Sequence, residues 1–221
     1  MTDGPAARVS VAEVAPQLRS PGTVLGPRAN RTIASILDAT RRIFLVKGYA
    51  GTTIDEITTE AGVSRGSFYT YFPSKRDVLL ALGANSLSAA SQLIKELADL
   101  GPDWKPDDLA KWTRSYFDLL EEHGAFAFGW TQAAHEDDEI RRAGMRGHLP
   151  LCRQLGMALH ALAAPDATVG AEDPTAYGLI TVAMLERAWS YAQLYGEAVD
   201  TDVLTGRLAE IISAIARPRP R

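Results

Sequence analysis

Cysteine is nearly absent from this chain: Cys152 stands alone in 221 residues, so no intrachain disulfide can form. That usage fits a reducing compartment. Histidine is scarce too, with four residues scattered at positions 123, 135, 148 and 160. His148 and Cys152 lie four apart and share a helical face. Two ligands are too few for a structural zinc site, no third partner is evident, and Pro150 falls between them. No metal, cofactor or thiol-based redox function is expected. Also missing are a nucleophile motif, a Gly-rich phosphate loop and a His/carboxylate cluster, so an enzyme built on this chain has no supporting constellation. No apolar run approaches the ~18–20 residues of a membrane span. The N-terminus lacks the uninterrupted apolar stretch of a signal peptide. The expectation is a soluble, cytoplasmic protein without membrane association.

What is present is a large apolar fraction, 46% of residues, enough for a sizeable core. The net charge of −4 divides unevenly along the chain. Residues 28–83 hold eight Lys/Arg against five Asp/Glu, whereas residues 84–216 hold ten against twenty. A basic module on an acidic body suits binding of a polyanion by the first part only.

The periodicity is helical throughout, and no strand pattern competes. Residues 1–28 are rich in Ala, Pro, Gly and Ser and read as a disordered leader; residues 217–221 form a basic Arg-Pro tail. Ile33, Ile36, Leu37, Ile43 and Phe44 mark one face of a first helix that Gly48 closes. Thr53-Ile54-Asp55-Glu56 fits a capping box at the start of a second helix, with Ile57 and Ala61 inward. Gly62 permits a tight turn, Ser64 caps a short third helix, and Pro73 stops it. Further helices are predicted near 74–99, 107–122, 125–135, 138–163, 173–196 and 201–216. Breaks are expected at Gly101-Pro102, Gly124, Pro165 to Gly170 and Gly196, and Pro150 should kink or split its helix. The run Glu136-Asp137-Asp138-Glu139 reads as solvated dipole partners at a helix start.

Two short helices around a Gly-centred turn are how a chain places a helix in the major groove of DNA. Phe68 and Phe72, four apart, are the inward anchors of the second. Arg65, Ser67, Tyr69, Thr70 and Tyr71 remain to be divided between groove and backbone. Arg65 at the helix start suits bidentate donation to guanine, and Gly66 removes a side chain where the helix presses closest. Tyr69, Tyr71 and Lys75 suit phosphate oxygens. Tyr69 and Tyr71 also fit a plain surface-covering role, and Arg28 with Arg31 fits either a minor-groove arm or a solvated linker.

The string Thr53-x-x-x-Ile57, then Ala61-Gly62-Val63-Ser64-x-Gly66-x-Phe68-Tyr69-x-Tyr71-Phe72-x-x-Lys75-x-x-x-Leu79, resembles the DNA-binding domain of the TetR/AcrR family of bacterial transcriptional regulators. The match covers about a quarter of the chain. The resemblance implies that Arg65, Gly66, Ser67 and Tyr69 approach bases or nearby phosphates. It also implies that Thr53, Tyr71 and Lys75 contact the backbone. Thr58 departs from the family's usual Ala and fits only if its hydroxyl bonds back to its own helix.

The implied architecture is all-α: a helix-turn-helix module at 29–78 and a helical ligand-binding and dimerisation domain at 79–216. Family members form Ω-shaped homodimers through their last two long helices, the place taken here by 173–196 and 201–216. Both helices are apolar around much of their circumference, as two buried faces or one monomer's core would require. Trp112, Tyr116, Phe128, Trp130, Met145, Met184 and Trp189 are candidates either for core or for an aromatic, Met-lined effector pocket. The partners implied are a double-stranded DNA operator, a small apolar or aromatic effector and a second copy of the chain. The resulting function is a repressor released from a near-palindromic operator by its effector.

Overall fold

The computed structural model describes residues 26–101, 103–163 and 173–216, without the side chains of Ala125, Ala127, Phe128 and Ala163. Most of the leader, the Pro165–Gly170 break and the basic tail lie outside the described residues. The elements are α1 (Pro27–Lys47), α2 (Ile54–Ala61), α3 (Arg65–Tyr71), α4 (Lys75–Ala98), α5 (Pro106–Glu136), α6 (Asp138–Ala163), α7 (Pro174–Tyr195) and α8 (Thr201–Ala216). A 3-10 turn at Gly196–Ala198 precedes α8. Among the described residues the secondary structure is helical, as expected.

The described residues form two compact units, one within 1–88 and 125–143, the other within 89–124 and 144–221. The sequence reading ended the DNA-binding module at residue 78. The first unit runs further and takes in the second half of α5 and the start of α6. Its core joins Ile33, Ile36 and Phe44 of α1 to Ile57 of α2, Phe68 and Phe72 of α3, and Leu79 of α4. Ala133 and Ile140 complete it.

Local signals set the ends of these helices. Gly48 closes α1 at φ 69°, donating its N–H to Phe44 O. The capping box opens α2: Thr53 N–H donates to Glu56 Oε2 at 2.9 Å, and Glu56 N–H donates to Thr53 Oγ1 at 3.3 Å. Gly62 ends α2 in the left-handed region at φ 65°, a conformation costly for a residue with a Cβ. Thr58 is buried and donates its hydroxyl to Asp55 O at 3.0 Å, which satisfies the one departure from the family pattern.

Two expectations fail here. Gly124 does not break a helix but lies inside the continuous α5. A Cβ on Gly124 would stand 2.3 Å from the Trp189 ring, so the residue is small because an indole lies on it. Of the kink or split expected at Pro150, the split does not occur, since α6 runs through it. It is exposed, as are Arg146 and Leu149, so the carbonyl that loses its donor sits on the solvent side of the helix. Contrary to the hydropathy reading, α4 is long and apolar enough by composition to cross a membrane. Its apolar side chains are used internally: Val78, Leu79 and Leu82 are buried in the first unit, and Leu93, Ile94 and Leu97 in the second.

The second unit is held by close helix approach. Trp112 Nε1–H donates to Leu93 O at 2.9 Å, fastening α5 to α4. Trp104 Nε1–H does the same to Leu162 O at 3.0 Å. Where α6 meets α7, a Cβ on Gly156 would lie 1.7 Å from Pro174 O, and one on Gly178 would lie 1.7 Å from Cys152 O. Backbone atoms cannot swing aside as a flexible side chain can, so neither glycine tolerates a methyl without separating the helices. Gly178→Ala should destabilise the protein by about 3 kcal/mol, read as a lower urea midpoint with an unchanged slope.

Candidate functional site

α3 has seven residues, Arg65–Tyr71, and is held from both sides of its own axis. Ser64 caps it, accepting from Ser67 N–H at 3.1 Å. Phe68 and Phe72 are buried, with ring centroids 6.0 Å apart. This leaves Arg65, Gly66, Tyr69 and Thr70 exposed and Ser67 and Tyr71 half-buried. A Cβ on Gly66 would meet only Ser64 Oγ, at 3.9 Å, so the helix presents open backbone there.

The charged groups are already engaged within the first unit. Arg65 pairs with Asp55 of α2, stacks on the Tyr69 ring at 5.9 Å and donates to the Tyr69 hydroxyl at 3.4 Å. The Asp55 hydrogen bond, then its charge, raises the guanidinium pKa. Thr70 donates its hydroxyl to Gly66 O at 2.9 Å, leaving it only as an acceptor for an outside group. Tyr71 packs partly against the core. Lys75 donates to Tyr49 O and Thr52 O, each at 2.6 Å, and sits 4.4 Å from the Tyr49 ring centroid. Burial lowers its pKa, and the third ammonium hydrogen is the one left for a phosphate. Thr53 is exposed. Its partner Glu56 is held at a pKa of about 2, by Lys47 first and then by the Thr53 backbone.

The acidic run is only partly solvated. Asp137 accepts N–H groups from Glu139 at 2.9 Å and Ile140 at 3.3 Å, which opens α6. Arg76 Nε donates to Asp137 at 2.6 Å and its Nη1 to Glu139 at 2.8 Å. The first unit's extra helices are thereby pinned to the start of α4. No sequence signal marks that pairing across 61 residues.

The candidate effector residues separate. Trp112, Tyr116 and Trp189 are buried and Met184 half-buried in the second unit. Trp112 and Tyr116 form a tilted pair 5.5 Å apart. Trp130 instead packs on the first unit's core beside Phe126, 5.3 Å away. Met145 is 55% exposed, and the Phe128 side chain lies outside the described residues. His148 and Cys152 do share a face, with Sγ 3.7 Å from Nε2. Burial pushes the thiol up to about 11, which makes it inert. No metal-holding cluster of His, Cys, Asp and Glu occurs among the described residues.

One residue escaped the sequence reading: Glu186, which shares with Arg187 the only charges of α7. An isolated acid in so apolar a helix was the available signal. Burial pushes its pKa up to about 7.

Residues 36–82 match the family model described as bacterial regulatory proteins, tetR family. The chain is 33% identical over 92 residues to the uncharacterized HTH-type transcriptional regulator YerO of Bacillus subtilis, covering 41% of this chain and 32% of that one. To the HTH-type transcriptional regulator EthR of Mycolicibacterium smegmatis it is 28% identical over 115 residues, 52% of this chain and 53% of that one. The chain thus spans about a third to a half of the length of these curated relatives. A putative transcriptional regulator from Pseudomonas aeruginosa shares the fold, with a TM-score of 0.65 at 20% identity over 86% of this chain and 91% of that one.

The Glu186 shift has a stability consequence. Its folded pKa of about 7 exceeds the ordinary 4.5, so the folded state holds a proton that the unfolded chain releases. The stability contributed is full below the lower value and is lost as pH rises through the upper one. Tyr116 and Cys152, whose pKa values are raised by burial and then by the Glu186 charge, stay neutral through that window. Glu186→Gln should remove on the order of 2 kcal/mol of stability loss between about pH 5 and pH 8, seen in melting curves.

Proposed function

We propose that this chain, whose residues 36–82 match the tetR-family model of bacterial regulatory proteins, is a ligand-responsive, homodimeric transcriptional repressor. The observation that carries the reading is the outward face of α3: Arg65, Gly66, Tyr69 and Thr70 exposed on a helix held by Phe68 and Phe72. Arg65, Gly66, Ser67 and Tyr69 read bases or adjacent phosphates, and Thr53, Tyr71 and Lys75 grip the backbone. Two such helices in a dimer meet successive major grooves of a near-palindromic operator, about 34–36 Å apart. The protein acts where the DNA is, in the cytoplasm.

The dimer reading is supported by α7 and α8. Ile180, Tyr191, Leu194 and Tyr195 on the first, and Val203 and Ile211 on the second, are large apolar side chains at 46–71% exposure. A second copy of the same surface covers them most economically. Effector binding in the second unit shifts the population toward dimers whose α3 helices no longer match the operator spacing, lowering affinity by linkage. An apolar or aromatic effector suits Trp112, Tyr116, Met184 and Trp189.

Tyr71→Phe combined with Arg65→Ala should weaken binding to DNA from the protein's own promoter by tenfold or more and flatten its salt dependence. Fluorescence anisotropy from about 50 to 200 mM salt reads both, and an unchanged slope would refute the docking face. Leu194→Asp should yield a monomer by sedimentation velocity while α-helical circular dichroism persists; a dimer there would place the interface elsewhere.

A further inference from the structure

We propose that Asp55 of α2 is a positioning residue for base reading, holding the Arg65 guanidinium so that it is offered to guanine and withheld from phosphate. This rests on the reading of α3 as the docking face and deepens it to the source of sequence preference. Arg65 is the first residue of α3, and its side chain is 55% exposed. It is nevertheless fixed. Its Nη1 donates to Asp55 Oδ1, its Nη2 donates to the Tyr69 hydroxyl at 3.4 Å, and its guanidinium carbon stands 5.9 Å from the Tyr69 ring centroid. A guanidinium has five N–H groups, so three remain for an outside acceptor. That is enough for a bidentate bond to guanine O6 and N7.

The neighbouring acid of α2 has a different task. Glu56 closes the capping box and pairs with Lys47. Asp55, 69% exposed, takes no part in that cap. Among the described residues its carboxylate is partnered by Arg65, ten positions on and in the next helix. An exposed acid at a helix start is ordinarily a dipole partner. That role needs no cation, and it sets a negative charge beside a face meant for a polyanion. A phosphate that approaches Arg65 therefore also approaches Asp55. A lone arginine meets the nearest phosphate as readily as a base, and such a contact carries no sequence information. The O6/N7 edge of guanine bears no formal charge, so the carboxylate penalises the phosphate contact more than the base contact. The side chain is also ordered before DNA arrives, so less rotamer freedom is lost on forming the base contact.

The test uses the full-length protein and fluorescence anisotropy, on a duplex carrying its footprinted site from its own promoter and on a random duplex of equal length. Each guanine of a half-site is replaced in turn by 7-deazaguanine, which pairs normally but lacks the N7 acceptor. At one guanine the replacement should weaken wild-type binding about fivefold or more, and Arg65→Ala should be indifferent to it. Asp55→Ala should cut that loss to below about twofold. It should also bind the random duplex about twofold more tightly, since a charge that repels phosphate is gone. Asp55→Glu, which keeps the carboxylate, should restore part of the discrimination. Melting curves verify that each variant folds. Full guanine discrimination in Asp55→Ala, or an equal loss on site and random duplexes, overturns the inference and leaves α3 standing as the docking face. If Arg65→Ala still senses every guanine that the wild type senses, the inference falls together with the base-reading role of Arg65. Failure to bind promoter DNA at low salt removes the docking face as well.

Discussion

Burial of two phenylalanines is the constraint on which the rest depends. A seven-residue helix is far below the ~12–15 residues at which an isolated helix becomes even marginal in water. α3 therefore exists because Phe68 and Phe72 are sealed against α1, α2 and α4, and because Ser64 satisfies a first-turn amide. Those contacts also fix its rotation. With the aromatic pair inward, Arg65, Gly66, Tyr69 and Thr70 are left on the exposed side of the helix. The outward display of Arg65, Gly66 and Tyr69 follows from hydrophobic packing before any partner is considered.

The second unit is organised by a different device. Its helices come together where side chains are missing, at Gly124 beneath Trp189 and at Gly156 against Gly178. Close backbone approach strengthens dispersion and leaves little tolerance for volume change. Within that unit burial raises the pKa of Glu186 to about 7.

Much of the first unit was legible from the sequence because its signals are local. The Thr53–Glu56 box, the left-handed Gly62 and the Thr58 hydroxyl bond each involve residues within four positions of one another. The helical class was legible from periodicity alone. What could not be read was tertiary. Gly124 looks like a helix breaker until the indole above it is known, and Asp137 looks solvated until Arg76 arrives from another helix. Trp130 belongs by composition to an effector pocket and by packing to the first unit's core. Glu186 had a visible signal, a lone acid among apolar residues, but its burial is a matter of tertiary packing.

Lys75 carries one more implication. Its ammonium is clamped by the carbonyls of Tyr49 and Thr52 in the turn that leads into α2. A cation so fastened has no free arc through which to chase a phosphate. It acts as a fixed stud on the surface, and its height is set by the turn. Contact with a phosphate at that stud would be made or lost by moving the body that carries it, since turning the side chain alone would first undo the turn.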